Sequence, residues 1–443
     1  MTMQSFASRS AWLSASVLLV ATGAQGAHES MPTSDAIYPD LERLYLDLHQ
    51  NPELSWHEEK TAAKMAAQLR SLGYDVTTGV GKIGVVGLLR NGKGPTVMLR
   101  TELDALPMEE KTGVPYASKA VMKNDAGENV NVMHACGHDI HMTSWVGAAT
   151  LLARSKDQWR GTVMMVAQPA EEVAAGAAAM IADGLFTRFP RPDFALAVHD
   201  IGSLPSGQVG VVPGFAFASM DTVDITIYGK GAHGAAPHRS IDPVLIAAKT
   251  VVALHNIVSR EIDPLDPAVI TVGSIHAGTK SNIIPDQAKL QITVRSYKDE
   301  VQKQLLSAIA RVTKGEALAA GATKEPLVVV DPHGTTHSTF NDEVLTKRLA
   351  SVLSRTIGEG NVVPFPQVMG SEDFSEYGHA GVPAVLFWIG ATEPANVCGV
   401  EGQRDGATKQ PLVAVRSRQG AHDQDWRDCT DGRSNGPARK TVT

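Results

Sequence analysis

The 443-residue chain is poor in aromatic residues, at 5%, has only three cysteines, and carries no basic excess: 40 Lys and Arg stand against 47 Asp and Glu, for a net charge of -7. That balance excludes the basic face that phosphate recognition needs, so no nucleic-acid partner is expected. Beyond the N-terminal segment no apolar run is long enough to cross a bilayer, so no membrane partner is expected after processing. Disulfides are possible among the three cysteines if the chain is exported. Cys136 sits in a Cys-Gly-His cluster that reads as a metal ligand, while Cys398 and Cys429 fall in an irregular C-terminal tail. What is present is apolar residue in quantity: 43% hydrophobic content can fill a large core, and the length predicts two domains. The first residues read as an export signal. Arg9 is the basic start, Ala11 to Ala21 the short apolar run, and Ala24-Gln25-Gly26 the small-residue cleavage site. The mature protein, from residue 27, is therefore expected to be periplasmic or secreted.

The rest of the chain changes rhythm twice. Helical patterns over Ala36 to His49 and Thr61 to Leu72 precede strands over Gly84 to Arg90 and Thr96 to Thr101, with the turn Asn91-Gly92-Lys93-Gly94 between them. A helix over Thr143 to Ala153, a strand over Gly161 to Gln168, a helix over Ala174 to Asp183 and a strand over Phe194 to His199 continue the alternation. This predicts an α/β fold, an open mixed sheet covered on both faces. From Gly214 the order becomes strand (Met220 to Tyr228), helix (Pro243 to Ser259), two strands (Ala268 to His276, Gln287 to Ser296), helix (Lys298 to Ala319) and strand (Pro326 to Val330). That is the ferredoxin-like α+β pattern. The α/β rhythm then returns with a helix over Asn341 to Ile357 and a strand over Ala384 to Gly390. We therefore expect a catalytic domain in two parts, 27–213 and 333–395, interrupted by an inserted domain, 214–332, and followed by an aberrant tail, 396–443.

The strongest chemical signal is His134-Ala135-Cys136-Gly137-His138-Asp139-Ile140-His141. A thiolate and an imidazole two residues apart can reach one metal centre, and both suit zinc and its neighbours. Gly137 lets the backbone turn so that the two side chains converge. Glu171-Glu172 follows a strand, at the carboxyl end where open α/β sheets place their sites. Adjacent carboxylates can divide labour, one binding metal and one moving a proton. His199 ends a third strand.

Leu99-Arg100-Thr101-Glu102-Leu103-Asp104-Ala105-Leu106-Pro107, His134 to His141, Gln168-Pro169-Ala170-Glu171-Glu172, His199, Gly231-Ala232-His233, Ser281-Asn282-Ile283-Ile284-Pro285 and Met369-Gly370-Ser371-Glu372-Asp373-Phe374 occur in that order. From about Ala36 to Ala395 the chain resembles the amidohydrolase branch of the two-metal peptidase family that includes hippurate hydrolase and the auxin-conjugate hydrolases. The resemblance implies two divalent metal ions per subunit (zinc, manganese, cobalt or nickel), held by Cys136 as a bridge and by His138, Glu172 and His199. It implies Glu171 as general base toward water and then as proton donor to the leaving amine. It implies that Asn282 and Arg295 hold the free carboxylate of an N-acyl amino acid or peptide. It also implies that His233 reaches an active site, often that of a dimer partner, so a homodimer through the inserted domain is expected. Asp104 and Glu102 are supporting residues; the family usually has aspartate where Glu102 stands. A carboxypeptidase or dipeptidase on the same scaffold, and a catalytically impaired relative that only binds such substrates, stay open.

The C-terminus departs from the pattern. The family ends with a histidine ligand in a segment like Asn-His-Ser-Ser-Leu-Phe and a closing helix, and nothing of that kind follows Asn396. His422 lacks the expected neighbours. Displacing the reading frame by one base from Asn396 allows a stop-free tail that contains Asn-His-Ser-Ser-Leu-Phe, its histidine codon straddling Pro411 and Leu412, and that ends in an amphipathic helical pattern. A frameshift is therefore expected near the Ala395 codon.

Overall fold

A computed structural model describes residues 34–394 of the protein. The segments read above as an export signal and as a frameshifted tail, with Cys398, His422 and Cys429, lie outside the described residues.

Two helices, α1 (Tyr38–Gln50) and α2 (Glu59–Ser71), lead into β1 (Asp75–Val80), β2 (Gly84–Asn91) and β3 (Thr96–Glu102). The short hairpin β4 (Val121–Lys123) and β5 (Asn129–Asn131) precedes α3 (His138–Arg154), β6 (Gly161–Gln168), α4 (Gly176–Ala182) and α5 (Leu185–Arg188). Then come β7 (Phe194–Pro205), β8 (Val209–Val211) and β9 (Gly214–Phe217). A second group follows: β10 (Ser219–Tyr228), β11 (Ala232–His233), α6 (Pro243–Arg260), β12 (Ala268–Ala277), β13 (Ile283–Ile284), β14 (Gln287–Ser296), α7 (Asp299–Ala319) and β15 (Leu327–Thr336). The last elements are β16 (Thr339–Asn341), α8 (Glu343–Ile357), β17 (Val362–Pro364), α9 (Ser375–His379) and β18 (Ala384–Thr392).

The large sheet has eight strands in the order β1-β2-β6-β3-β7-β18-β8-β17. Its centre is parallel: β6, β3, β7 and β18 run together. Such strands are buried on both faces, which explains their unbroken apolar runs. In β6 the residues alternate between two cores. Met164 and Val166 pack with Met98, Met180, Phe374 and Trp388 on one side. Val163, Met165 and Ala167 pack with Leu48, Met65, Leu69, Met142 and Trp145 on the other.

The second sheet has four strands in the order β12-β14-β10-β15, every ladder antiparallel. With α6 and α7 on one face this is the ferredoxin-like arrangement. Period-two burial in β10 puts Val223, Ile225 and Ile227 against Ile246, Leu254, Leu305 and Ile309 of the helices. Asp242 caps α6 by accepting from the amides of Val244 and Leu245.

One boundary differs in a way that matters. The helix expected over Thr143 to Ala153 begins at His138. Its first turn, His-Asp-Ile-His, is polar and hides the apolar period there. Gly137, with φ +78°, supplies the left-handed entry to the helix.

Candidate metal centre

The carboxyl ends of β3 and β6 lie side by side, with Glu102 in register with Gln168, while β7, expected to end at His199, pairs with β3 as far as Ala197 and runs on past them to Pro205. The chain leaves these ends in loops, the position where open α/β sheets gather functional groups. Asp104 follows β3, Glu171 and Glu172 follow β6, His199 projects from β7, and Cys136 and His138 flank the entry to α3.

Cys136 Sγ lies 3.5 Å from His199 Nε2. Burial alone would raise this thiol, but the His199 and His138 rings bring it down to about 6, toward the thiolate a metal binds. His138 Nδ1 lies 2.8 Å from the Asp104 carbonyl oxygen, and His199 Nδ1 lies 2.7 Å from the Asp200 carbonyl oxygen. Each carbonyl can only accept, so each ring carries its proton on Nδ1 and presents the lone pair of Nε2. His138 Nε2 is 3.8 Å from Glu171 Oε2 and 3.9 Å from Glu172 Oε1. The Asp104 carboxylate ties the loops together, accepting from the Glu172 amide at 3.0 Å and from Ser55 Oγ at 2.6 Å.

Three groups of closely spaced ligand atoms share His138: Cys136 with His138 and His199, His138 with Glu171 and Glu172, and Glu102 with His138 and His141. Three of the buried atoms in and behind them, His138 Nε2, Glu172 Oε1 and Asp104 Oδ1, have no hydrogen-bond partner among the described residues. Unpaired donors and acceptors are costly in an interior unless something else satisfies them. A sulfur, two imidazoles and carboxylates aimed at one space fit divalent cations of the zinc type. Gly137 is obligatory here for a second reason: a Cβ on it would sit 2.1 Å from Asp200 Oδ1.

Beneath the centre lies a charge network that the sequence motifs contain but do not explain. Arg100 is 3% exposed. Its guanidinium donates to Glu102, to Gln168 at 2.9 Å, to Glu372 at 2.8 Å and to Asp373 at 2.7 Å. Gln168 Nε2 donates to both Asp373 oxygens, and Tyr377 donates to Gln168 Oε1. Glu102 also faces His141 at 3.1 Å, whose other nitrogen accepts from the Asp200 amide at 2.9 Å. Glu102 thus stands between Arg100 and His141, one step behind the ligands. Burial would raise its carboxyl, but Arg100 and His141 hold it well below the usual range. Three carboxylates cannot stay buried around a missing guanidinium, so Arg100→Met is expected to cost about 3–5 kcal/mol of stability. Urea unfolding measures it; a variant as stable as the parent would contradict the network's role.

The other expected site residues lie elsewhere. His233 is on β11, paired with Ile283 of β13, and its Nδ1 accepts from the Ala235 amide at 3.1 Å. The Gly234 amide donates to the Asn282 carbonyl at 2.8 Å, so His233 and Asn282 are neighbours. Both are exposed, and His233 joins none of these ligand groups among the described residues. Arg295, on β14, is half-buried and donates to the Met369 carbonyl at 2.8 Å, touching the segment that carries Glu372 and Asp373. His141, Asp200, Glu372 and Asp373 were not singled out by spacing, because each lies beside a stronger signal or in a motif with no period.

The family model described as peptidase family M20/M25/M40 matches residues 98–403. Thermostable carboxypeptidase 2 of Saccharolobus solfataricus is 37% identical over 355 residues, 79% of this chain and 86% of that protein. Hippurate hydrolase of Campylobacter jejuni is 36% identical over 337 residues, 76% of this chain and 84% of that protein. Among solved structures, a dinuclear metal-binding peptidase of Bacillus subtilis is 31% identical with a TM-score of 0.67, covering 81% of this chain and 90% of that one.

Proposed function

Since the chain belongs to peptidase family M20/M25/M40 and is an amide-cleaving hydrolase of that family, we propose that it releases the amino acid from N-acyl amino acids of the hippurate type. The observation that carries this reading is the space between His138 Nε2 and Glu172 Oε1, both buried and without a hydrogen-bond partner among the described residues, beside the Cys136–His199 pair. Cys136, His138, Glu172 and His199 would hold two divalent ions, zinc, manganese, cobalt or nickel. Such ions, when bound, acidify water and polarise a carbonyl. Glu171 moves the proton. Burial, with Glu372 and Asp373 close by, raises its carboxyl well above the ordinary value. A carboxyl so placed accepts a proton from water readily and can return it to the leaving amine. Arg295, a planar cation beside the Met369 segment, suits the free carboxylate of the substrate.

The test is a chelator-stripped protein assayed on N-benzoyl and N-acetyl amino acids and on dipeptides, with each metal restored in turn. Hydrolysis of the acyl amino acids is expected to vanish on stripping and to return with at least one of the four metals. Undiminished turnover by metal-free protein, or turnover of dipeptides alone, would overturn the reading.

Two further assignments belong to the same proposal. The mature protein acts outside the cytoplasm, and fractionation of cells producing the full chain is expected to find it there. It also pairs with a second copy through the four-stranded unit. In support, β12 is an edge strand, with Ile275 49% exposed and Val252 of α6 75% exposed. Sedimentation is expected to give a dimer, and Val252→Glu with Ile275→Glu a monomer; a monomeric parent would remove this assignment.

A further inference from the structure

Glu58 stands at the start of α2 but does not cap it with its side chain. Glu53 does that work: its Oε2 accepts from the Thr61 amide at 2.7 Å and from Thr61 Oγ1 at 2.8 Å. Glu58, fully buried, turns the other way, and its Oε1 accepts from the Ala170 amide at 2.7 Å. Ala170 immediately precedes Glu171 and has φ +53°; Ala174, just past the pair, has φ +54°. Left-handed backbone is unfavourable for alanine and persists only where surroundings enforce it. The turn closes on itself through Ala174 N to Glu171 O at 2.7 Å, and through the Ala175 and Gly176 amides to Ala170 O.

Among the described residues, two side chains reach this turn's leading amides from outside. Glu58 takes the Ala170 amide and Asp104 takes the Glu172 amide. Both ties lead to one segment, 53–58: Ser55 donates to that same Asp104 oxygen, and the Glu53 carbonyl accepts from the Ala105 amide at 2.8 Å.

We propose that Glu58 is a positioning residue: it holds the Ala170–Glu172 turn in its left-handed form and so aims Glu171 and Glu172 into the centre. This rests on the roles given to those two glutamates above. Burial and the nearby Asp104 charge raise the Glu58 carboxyl to about 8, so it is protonated at neutral pH and glutamine matches its shape and its acceptor. Alanine removes the acceptor and strands a buried amide.

Hydrogen exchange on the full chain tests this without substrate. In Glu58→Ala, amides of 169–176 are expected to exchange about ten-fold faster while those of strand β6 keep their protection; Glu58→Gln is expected to match the parent. In turnover, kcat of Glu58→Ala falls about ten-fold or more with KM within about two-fold, and Glu58→Gln restores it. Should Glu58→Ala not fold, Glu58→Asp, which draws the acceptor back by one carbon, is expected to show the same local loss in smaller measure. Unchanged exchange at 169–176, or equal acceleration in β6, overturns the proposal. Local loosening in a series whose parent cleaves no acyl amino acid would leave the brace standing and remove the hydrolytic reading instead.

Discussion

Glu171→Gln is expected to lower kcat by about 10²–10⁴-fold, the range assigned to a well-placed proton-transfer group, while metal content stays near that of the parent. Glu171 is 9% exposed and its Oε2 is 3.8 Å from His138 Nε2. It also belongs to a second close group, with Glu372 and Asp373. The arrangement divides the adjacent glutamates. The Glu172 amide is tied to Asp104 and its Oε1 has no hydrogen-bond partner among the described residues, facing His138, as a ligand would. Glu171 instead sits toward the buried acids, which favour the protonated form. A glutamine keeps the size and most contacts of Glu171 but cannot take a proton. Glu172→Gln is expected to act differently and lower metal affinity. The check is kcat and metal stoichiometry on both variants. A Glu171→Gln protein that retains a tenth of the parental kcat would show that some other group moves the proton.

Much of this centre was legible in the chain because the donors come in short clusters. Cys136 and His138 are two residues apart, and Glu171-Glu172 follows a strand whose apolar run is unmistakable. The supporting layer was legible only as motif. Arg100 lies inside a β-strand, where an arginine reads as an exposed residue of an alternating face; only the fold brings Glu372 and Asp373, some 270 positions later, to its guanidinium. Asp104 acts through a backbone carbonyl and a backbone amide, contacts that leave no trace in residue type. His134 marks the opposite limit. It belongs to the strongest motif, yet burial lowers it to about 4 and neither ring nitrogen has a partner among the described residues. The fold was easier to read because period-two burial in β10 and double-sided burial in β6 are properties of the sequence itself. The short strands β8, β9 and β17 were not legible, being three or four residues long and without a period.

The second large effect is expected from the C-terminal reading frame. We propose that a one-base displacement near the Ala395 codon has replaced a segment containing Asn-His-Ser-Ser-Leu-Phe. The described residues offer two cations Cys136, His138, Glu172 and His199, and a structural or catalytic zinc ordinarily has at least three protein ligands of its own. Sharing one sulfur between two ions leaves that demand unmet, and a further imidazole would ease it. The Trp388 indole, 5.5 Å from the His199 ring, has a buried N–H without a partner among the described residues. Val344 and Val352, eight residues apart on α8, are 78% and 44% exposed, apolar surface of the kind an amphipathic helix would cover. Restoring the frame is therefore expected to tighten metal binding by about 100-fold or more, given that loss of even an outer partner of a ligand costs 10–100-fold, and to raise kcat with it. Titration of the stripped proteins with zinc or manganese, alongside turnover of an N-benzoyl amino acid, compares the two chains. Equal affinity and equal turnover would mean that the centre is complete without the restored histidine, and an unshifted genomic read across the Ala395 codon would end the frameshift proposal whatever the titration gives.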